Sequence, residues 1–105
     1  MSMAEKTFFE IFPEEAPDIS KAFGALMGSA KGTSGLDEKT FELVFIGIKA
    51  SCCSAVAAAA HAGFAKKAGA TREEVRGAVL VSLLTSGVDG VSACLGAVLD
   101  AYDKA

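Results

Sequence analysis

The chain has 105 residues, of which 51% are hydrophobic and 22% are charged, and its formal net charge at pH 7 is -3. This length suits one domain over residues 1–105, and the high apolar fraction excludes intrinsic disorder. With 13 acidic against 10 basic side chains, the protein has no positive field to hold nucleic acid or an anionic membrane. We therefore expect small molecules or protein as partners.

The cellular setting follows from the cysteines and the start of the chain. Three cysteines are an odd number, and the opening MSMAEKTFFE shows no apolar signal segment, so we expect a reducing, cytoplasmic location. The two most apolar stretches, 50–65 and 77–88, are respectively alanine-rich and short. A membrane span needs about 20 strongly apolar residues, so neither stretch is predicted to be one.

Helices dominate the pattern, because apolar residues recur at intervals of three and four and 20 of the 105 residues are alanine. Glu5–Phe12 is predicted to be a short amphipathic turn that ends at Pro13. Pro17 suits a first helical turn and opens a stripe that runs to Ala30, and the composition of 31–35, KGTSG, predicts a loop.

The middle of the chain predicts two consecutive helices. Asp37 can cap the first, which is apolar nearly all round over Phe41–Ile48. A bend or weak junction is expected around Ala50–Cys53. The second helix covers Ser54–Ala68 and ends at Gly69, a natural left-handed residue.

Two further helices complete the predicted fold. Thr71 and Glu74 form a capping box that opens a helix reaching Gly87, and Asp89 is predicted to cap the last helix. Since each apolar stripe must be covered by another, we expect an all-α bundle of five or six helices.

The N-terminal segment carries a large apolar set for so short an element. We predict that it either contacts another subunit or packs on the protein's own core. Its members are Phe8, Phe9, Ile11 and Phe12.

An acid in apolar surroundings and a lone histidine are the main candidates for chemistry. Glu42 lies within FELVFIGI, where apolar neighbours disfavour the charged form of a carboxyl group and so favour proton transfer. His61 is flanked by alanines that leave room around its ring. The alternatives are a Glu42 that points out of the bundle and a His61 satisfied by a backbone carbonyl.

Considered as a pair, Glu42 and His61 are stronger candidates than either residue alone. Glu42 and His61 are 19 positions apart on consecutive helices, which antiparallel packing can bring into hydrogen-bond reach. A carboxylate that orients an imidazole is a workable proton relay.

Two segments resemble the carboxymuconolactone decarboxylase family, which includes the alkylhydroperoxidase D proteins: LDEKTFELVFIGIKA and AAAAHAGFAKKAGATREEVRGAVLVSLL. The likeness covers about residues 36–84, with Glu42, His61 and the stretch Gly69–Glu74 in the family's order and spacing. It implies an all-α bundle of the alkylhydroperoxidase D type. It also implies a homo-oligomer, a trimer or hexamer with the site near a subunit boundary, and no cofactor.

The peroxidase branch of this family carries C-x-x-C-x-x-x-H, with cysteines four and seven residues before the histidine. Here those positions hold Ala57 and Ser54, and the nearest thiols, Cys53 and Cys52, lie eight and nine residues before His61. Two alternatives remain for these cysteines. Either Cys53 or Cys52 forms a displaced thiol site, or both are buried in the core.

The remaining thiol, Cys94, is expected in the core. One histidine and three cysteines show no paired ligand spacing, so we predict no metal.

The decarboxylase branch lacks the cysteine pair, as this chain does, and the resemblance implies removal of carbon dioxide from a small lactone acid by proton transfers. Such a site needs a cation to hold the substrate carboxylate. The sequence does not select among the candidates Lys49, Lys66, Lys67, Arg72 and Arg76.

The preferred hypothesis is acid–base chemistry on a small organic acid, with His61 as general acid or base and Glu42 orienting it. One alternative is a thiol-dependent alkyl hydroperoxide reductase that uses Cys53 or Cys52. Another is a family member that has lost catalysis and serves as an oligomeric binding or scaffold protein.

Overall fold

The computed structural model describes residues 2–105, and every regular element within that range is helical. The all-α fold is therefore confirmed, with six α-helices in this part of the chain. No helix there is long and apolar enough to cross a membrane. The elements are a 3₁₀ turn at Met3–Glu5, α1 at Phe8–Glu15, α2 at Pro17–Thr33, α3 at Glu38–Ser51, α4 at Ala55–Lys67, α5 at Arg72–Thr85 and α6 at Val88–Lys104.

The chain divides into two compact units, of which the first ends at Gly35. In this unit α1 packs against α2, and the Phe12 ring lies 4.8 Å from that of Phe8 and 6.0 Å from that of Phe23. None of the described residues of this unit is buried, and Phe9 is largely exposed. The subunit contact expected for its apolar side chains stays a prediction.

Two helix ends in this unit correct the sequence-based prediction. Pro13 does not end α1 but lies inside it. The proline removes only its own N–H donor, and the Ala16 N–H at the end of the helix still donates to the Phe12 carbonyl. The predicted loop at 31–35 is also too long, since α2 continues to Thr33. Its end is closed at Ser34, whose N–H and hydroxyl both donate to the Lys31 carbonyl.

The second unit, Leu36–Ala105, holds α3 to α6 in a four-helix arrangement. α3 packs against α4 and α5, and α6 packs against the same two helices from the other side, so α4 and α5 lie diagonally opposite each other. Small and β-branched side chains fill the centre. The buried apolar residues are Ile46, Ala50, Ala58, Ala62, Ala65, Ala70, Val75, Val79, Cys94 and Val98.

Local signals place most of the helix ends in this unit. Asp37 accepts a 2.7 Å hydrogen bond from the Thr40 N–H, and Thr71 and Glu74 form the predicted capping box. The prediction that Asp89 caps the last helix is wrong. The N-cap is Gly87, two residues earlier, and its φ of 87° is one that L side chains rarely adopt. Helix α6 begins at Val88, so Asp89 lies in its first turn.

A close backbone contact fixes how α6 meets the end of α3. Gly90 is buried, and a Cβ atom added there would overlap the carbonyl oxygen of Ala50. Only a glycine allows this approach without a shift of one helix. The contact holds the start of α6 against the last turn of α3, beside the junction that leads into α4.

We therefore expect Gly90→Ala to lower the free energy of unfolding by about 1–3 kcal/mol, because the added methyl group overpacks a rigid backbone contact. Urea denaturation followed by circular dichroism measures the change. The matched control is Gly96→Ala on the same helix, where the Cβ meets open space and alanine should raise stability by up to about 1 kcal/mol. Equal effects of the two substitutions would contradict the steric argument.

Candidate functional site

The structure brings the two principal candidate side chains into direct contact. His61 Nδ1 and Glu42 Oε2 are 2.6 Å apart, across the interface between α3 and α4. The helices run antiparallel, so Glu42 in the first half of α3 meets His61 at the middle of α4. Glu42 is only 4% exposed, whereas 21% of the His61 side chain is accessible.

Two phenylalanines hold the imidazole ring in place. The Phe45 ring stacks on it with centroids 3.7 Å apart and an angle of 21° between the planes. Phe64 meets the ring edge-on at 5.1 Å. Each follows its polar partner by three positions, Phe45 after Glu42 and Phe64 after His61, so each pair shares one helix face. This i, i+3 spacing was the available sequence signal, but sequence reasoning did not single out either residue.

This arrangement assigns different capacities to the two ring nitrogens. When Glu42 is ionised it can only accept hydrogen bonds, so His61 Nδ1 donates to it. In the neutral ring Nε2 then keeps its lone pair and is the atom that can take up a proton. Because the ring is partly accessible while the carboxylate is buried, a small molecule can approach His61 while Glu42 stays covered.

The cysteine candidates lie elsewhere. Cys52 is the C-cap of α3, and Cys53 follows it with a left-handed φ of 58°. Both are exposed, so the expectation that they are core residues is wrong. Helix α4 begins at Ala55 and is unbroken to His61, which at 1.5 Å per residue is about 9 Å of axial rise. The described contacts of the His61 ring include neither thiol.

Cys94 is buried, as its expected core role requires. Burial raises the pKa of the Cys94 thiol, and the charge of a Cys53 thiolate raises it further to a smaller extent. A thiol with a raised pKa is a poor nucleophile at neutral pH. Cys94 therefore behaves as a core residue, whereas Cys53 is exposed.

An apolar cavity of about 630 Å³ lies on a different side of α3, between α3 and α5. Its lining contains Cys52 but neither Glu42 nor His61. The pair therefore meets at the α3–α4 interface and not in this cavity. The lining residues are Leu43, Val44, Gly47, Ile48, Ser51, Cys52, Glu74, Ala78, Val81, Ser82 and Thr85.

Comparison with known proteins establishes the family. Residues 17–100 match the family model described as the carboxymuconolactone decarboxylase family, which is more than half of the chain. The chain therefore belongs to this family, as its resemblance over 36–84 predicted. No curated protein and no solved structure matches it.

The hydrogen bond makes a spectroscopic prediction that does not depend on activity. We expect the neutral His61 ring to carry its proton on Nδ1, because the Glu42 carboxylate accepts from that nitrogen. Glu42→Leu should abolish the preference for this tautomer. Glu73→Gln, which changes an exposed residue of α5, should leave the preference unchanged. Nitrogen-15 NMR reads the result without ambiguity because His61 is the only histidine. A wild-type ring protonated on Nε2 would contradict the assignment.

Proposed function

We propose that this protein catalyses cofactor-independent acid–base chemistry on a small organic acid, as a decarboxylase or related lyase. His61 acts as the general acid or base, and Glu42 is a positioning residue that fixes the ring. The single observation that supports the proposal is the 2.6 Å contact between the buried Glu42 carboxyl group and the partly accessible His61 ring. Family membership supports the same general chemistry.

The bond changes can be written for such a substrate. The carbon–carbon bond to the carboxylate breaks, carbon dioxide leaves, and the electron pair stays on the remaining molecule. A proton must then reach the carbon that carries this pair. His61 Nε2 can supply that proton when the ring is protonated on both nitrogens, because Glu42 holds Nδ1 throughout and stabilises the imidazolium.

Phe45 supports this role by limiting the motion of the ring. A histidine stacked at 3.7 Å on one face and hydrogen-bonded at Nδ1 retains few orientations, so Nε2 presents a fixed direction to a bound molecule. Such positioning raises the rate of proton transfer because less reorganisation is needed at the moment of reaction.

A second candidate function, a thiol-dependent hydroperoxide reductase, is favoured by the exposure of Cys53 and Cys52. In that reaction a thiolate takes one oxygen atom from the hydroperoxide and releases an alcohol, which leaves a sulfenic acid. A dithiol reductant then returns the sulfenic acid to the thiol and releases water. The absence of a direct contact between either thiol and His61 makes this the weaker proposal.

We expect His61→Gln to lower the turnover of carboxymuconolactone, measured as released carbon dioxide, by about 10²–10⁴-fold, because that is the usual contribution of a general acid or base. Glu42→Gln should lower it less, since the ring remains present but is held by a neutral partner. Glu73→Gln is the charge-matched control and should keep full activity. Unchanged turnover in His61→Gln, or no release of carbon dioxide by the wild-type protein, would rule out this reaction.

The thiol candidate predicts that Cys53→Gly abolishes consumption of an alkyl hydroperoxide in the presence of a dithiol. Glycine removes the thiol and accepts the left-handed φ at this position, so loss of the fold does not explain a loss of activity. Ser54→Ala, at the neighbouring position, is the control and should have no effect. If the wild-type protein consumes no hydroperoxide, or if Cys53→Gly and Cys52→Ser both remain active, the thiol function is excluded.

A further inference from the structure

We infer that the apolar cavity between α3 and α5 binds an uncharged molecule that carries a hydroxyl group at one end of an aliphatic chain. This site is separate from the proposed acid–base function and does not depend on it. The juxtaposition that supports the inference is an aliphatic cleft that ends in a cluster of hydroxyl groups, where two helices have their C-termini.

The cavity lies on the side of α3 that faces away from the Glu42–His61 pair. Ser51 belongs to its lining and follows Glu42 by nine residues. At about 100° per residue, this spacing places the two side chains on opposite sides of the helix. A molecule in the cavity therefore does not contact the pair.

The dimensions of the cavity suit a small elongated molecule. Its volume of about 630 Å³ lies within the range of about 300–1,000 Å³ that is typical of small-molecule sites. From Leu43 to Ser51 the lining follows α3 for eight residues, which is about 12 Å of axial rise. The lining residues that the structure describes include no aromatic ring for a flat ligand to stack on, so the walls favour an aliphatic chain.

Three hydroxyl groups meet at one end of the cavity. Ser51 Oγ lies 3.0 Å from both Thr85 Oγ1 and Ser86 Oγ, and these two oxygens lie 3.3 and 3.1 Å from the Ser82 carbonyl oxygen. Three hydroxyl hydrogens therefore serve four contacts, so each hydrogen is used within the cluster. Because the oxygens keep lone pairs, the cluster accepts a hydrogen bond from a ligand more readily than it donates one.

The backbone gives this end of the cavity the same preference. α3 ends at Ser51 and α5 ends at Thr85, and these two side chains are in contact. Lys39 and Glu74 join the same two helices near their N-termini, so the helices run parallel and both C-termini lie at the hydroxyl cluster. The C-terminal end of a helix carries partial negative charge, which attracts a hydrogen-bond donor and repels an anion.

The cavity offers no free counter-charge to an ionised ligand. Glu74 is the only charged side chain among the lining residues that the structure describes, and its oxygens already accept from the Thr71 N–H and the Lys39 ammonium. The five cations that the sequence proposed for an anion lie outside the lining, and two of them, Lys66 and Arg72, are bound to the end of α6. Since an unpaired charge is costly to bury, a neutral donor such as a hydroxyl group fits best.

A thiol in the lining can report whether the cavity is occupied. Cys52 belongs to the lining and Cys53 does not, although both are exposed, and Cys94 is buried. A molecule in the cavity should therefore shield Cys52 from an alkylating reagent and leave Cys53 reactive.

The first test measures this protection with 1-octanol as the probe and iodoacetamide as the reagent. Cys53→Gly accepts the left-handed φ and leaves Cys52 as the exposed thiol, and Cys52→Ser leaves Cys53. At about four times its dissociation constant, 1-octanol should slow alkylation of Cys52 about fivefold and leave that of Cys53 unchanged. No protection, or equal protection of the two thiols, would overturn the site.

The second test asks whether the ligand must be a neutral donor, with the same assay in Cys53→Gly. Heptyl methyl ether, an isomer of 1-octanol without a hydroxyl hydrogen, should bind about 3- to 10-fold more weakly, as for loss of one neutral hydrogen bond. Octanoate should bind more weakly still. Adding Ser51→Ala and Thr85→Val removes both lining hydroxyl groups and should make the alcohol and the ether bind equally. A Cys53→Gly protein that binds the ether or octanoate as tightly as the alcohol contradicts the assignment.

The apolar wall has its own matched pair of variants, also in Cys53→Gly. Val81 and Val56 are both exposed helical residues, but only Val81 lines the cavity. Val81→Ser should weaken binding of 1-octanol about fivefold because apolar contact is lost, and Val56→Ser should leave it unchanged. Equal losses in the two variants would show that 1-octanol binds elsewhere.

A second copy of the chain is the alternative occupant of this cavity, and the same reporter distinguishes it. For a small-molecule site, the alkylation rate of Cys52 without octanol should not depend on protein concentration. A rate that falls as the protein concentration rises would show that another copy covers the cavity, and would overturn the inference.

Discussion

The hydrogen bond between Glu42 and His61 is the constraint on which the rest of the second unit depends. A carboxyl group that is 4% exposed is costly to bury unless it is hydrogen-bonded, and His61 provides a partner from the adjacent helix. The bond thereby fixes how α3 and α4 face each other. Small core residues on α4, including Ala58, Ala62 and Ala65, let the two helices approach closely enough for it to form.

Helix α3 serves two surfaces of the unit at once. One side presents Glu42, Phe45 and Lys49 toward α4, where the polar and aromatic groups meet, and another lines the apolar cavity against α5. The surface that the cavity exposes is mostly apolar, although Cys52 and Glu74 belong to its lining. The α3–α4 face combines a carboxyl group, an imidazole, an ammonium and two aromatic rings. The proposed function therefore rests on the chemical composition of the α3–α4 face.

The chain belongs to the family but lacks the cysteine pair that its peroxidase branch carries. Ala57 and Ser54 stand at the two motif positions, while Cys52 and Cys53 lie in the turn that joins α3 to α4. The turn leaves them exposed and separates them from His61 by two turns of α4. What remains at the centre is the hydrogen-bonded Glu42 and His61, the pair on which the proposed acid–base function rests.

The sequence by itself determined the helical class, the family and several helix ends. It did so because capping and periodicity act over three or four residues: Asp37 and Thr71 bind N–H groups within their own first turns. It also determined that Glu42 and His61 could meet, since two helices with a short connection must run antiparallel. The helix ends that depend on weaker local preferences were predicted wrongly. These are the ends predicted at Pro13, at 31–33 and at Asp89.

Only the tertiary structure decided which groups surround the pair. The stacking of Phe45 on His61 and the engagement of Lys66 and Arg72 by the end of α6 depend on contacts between different helices. The exposure of Cys52 and Cys53 likewise follows from the geometry of the α3–α4 turn. A local pattern carries no information about such contacts, because their distances are set by how whole helices pack.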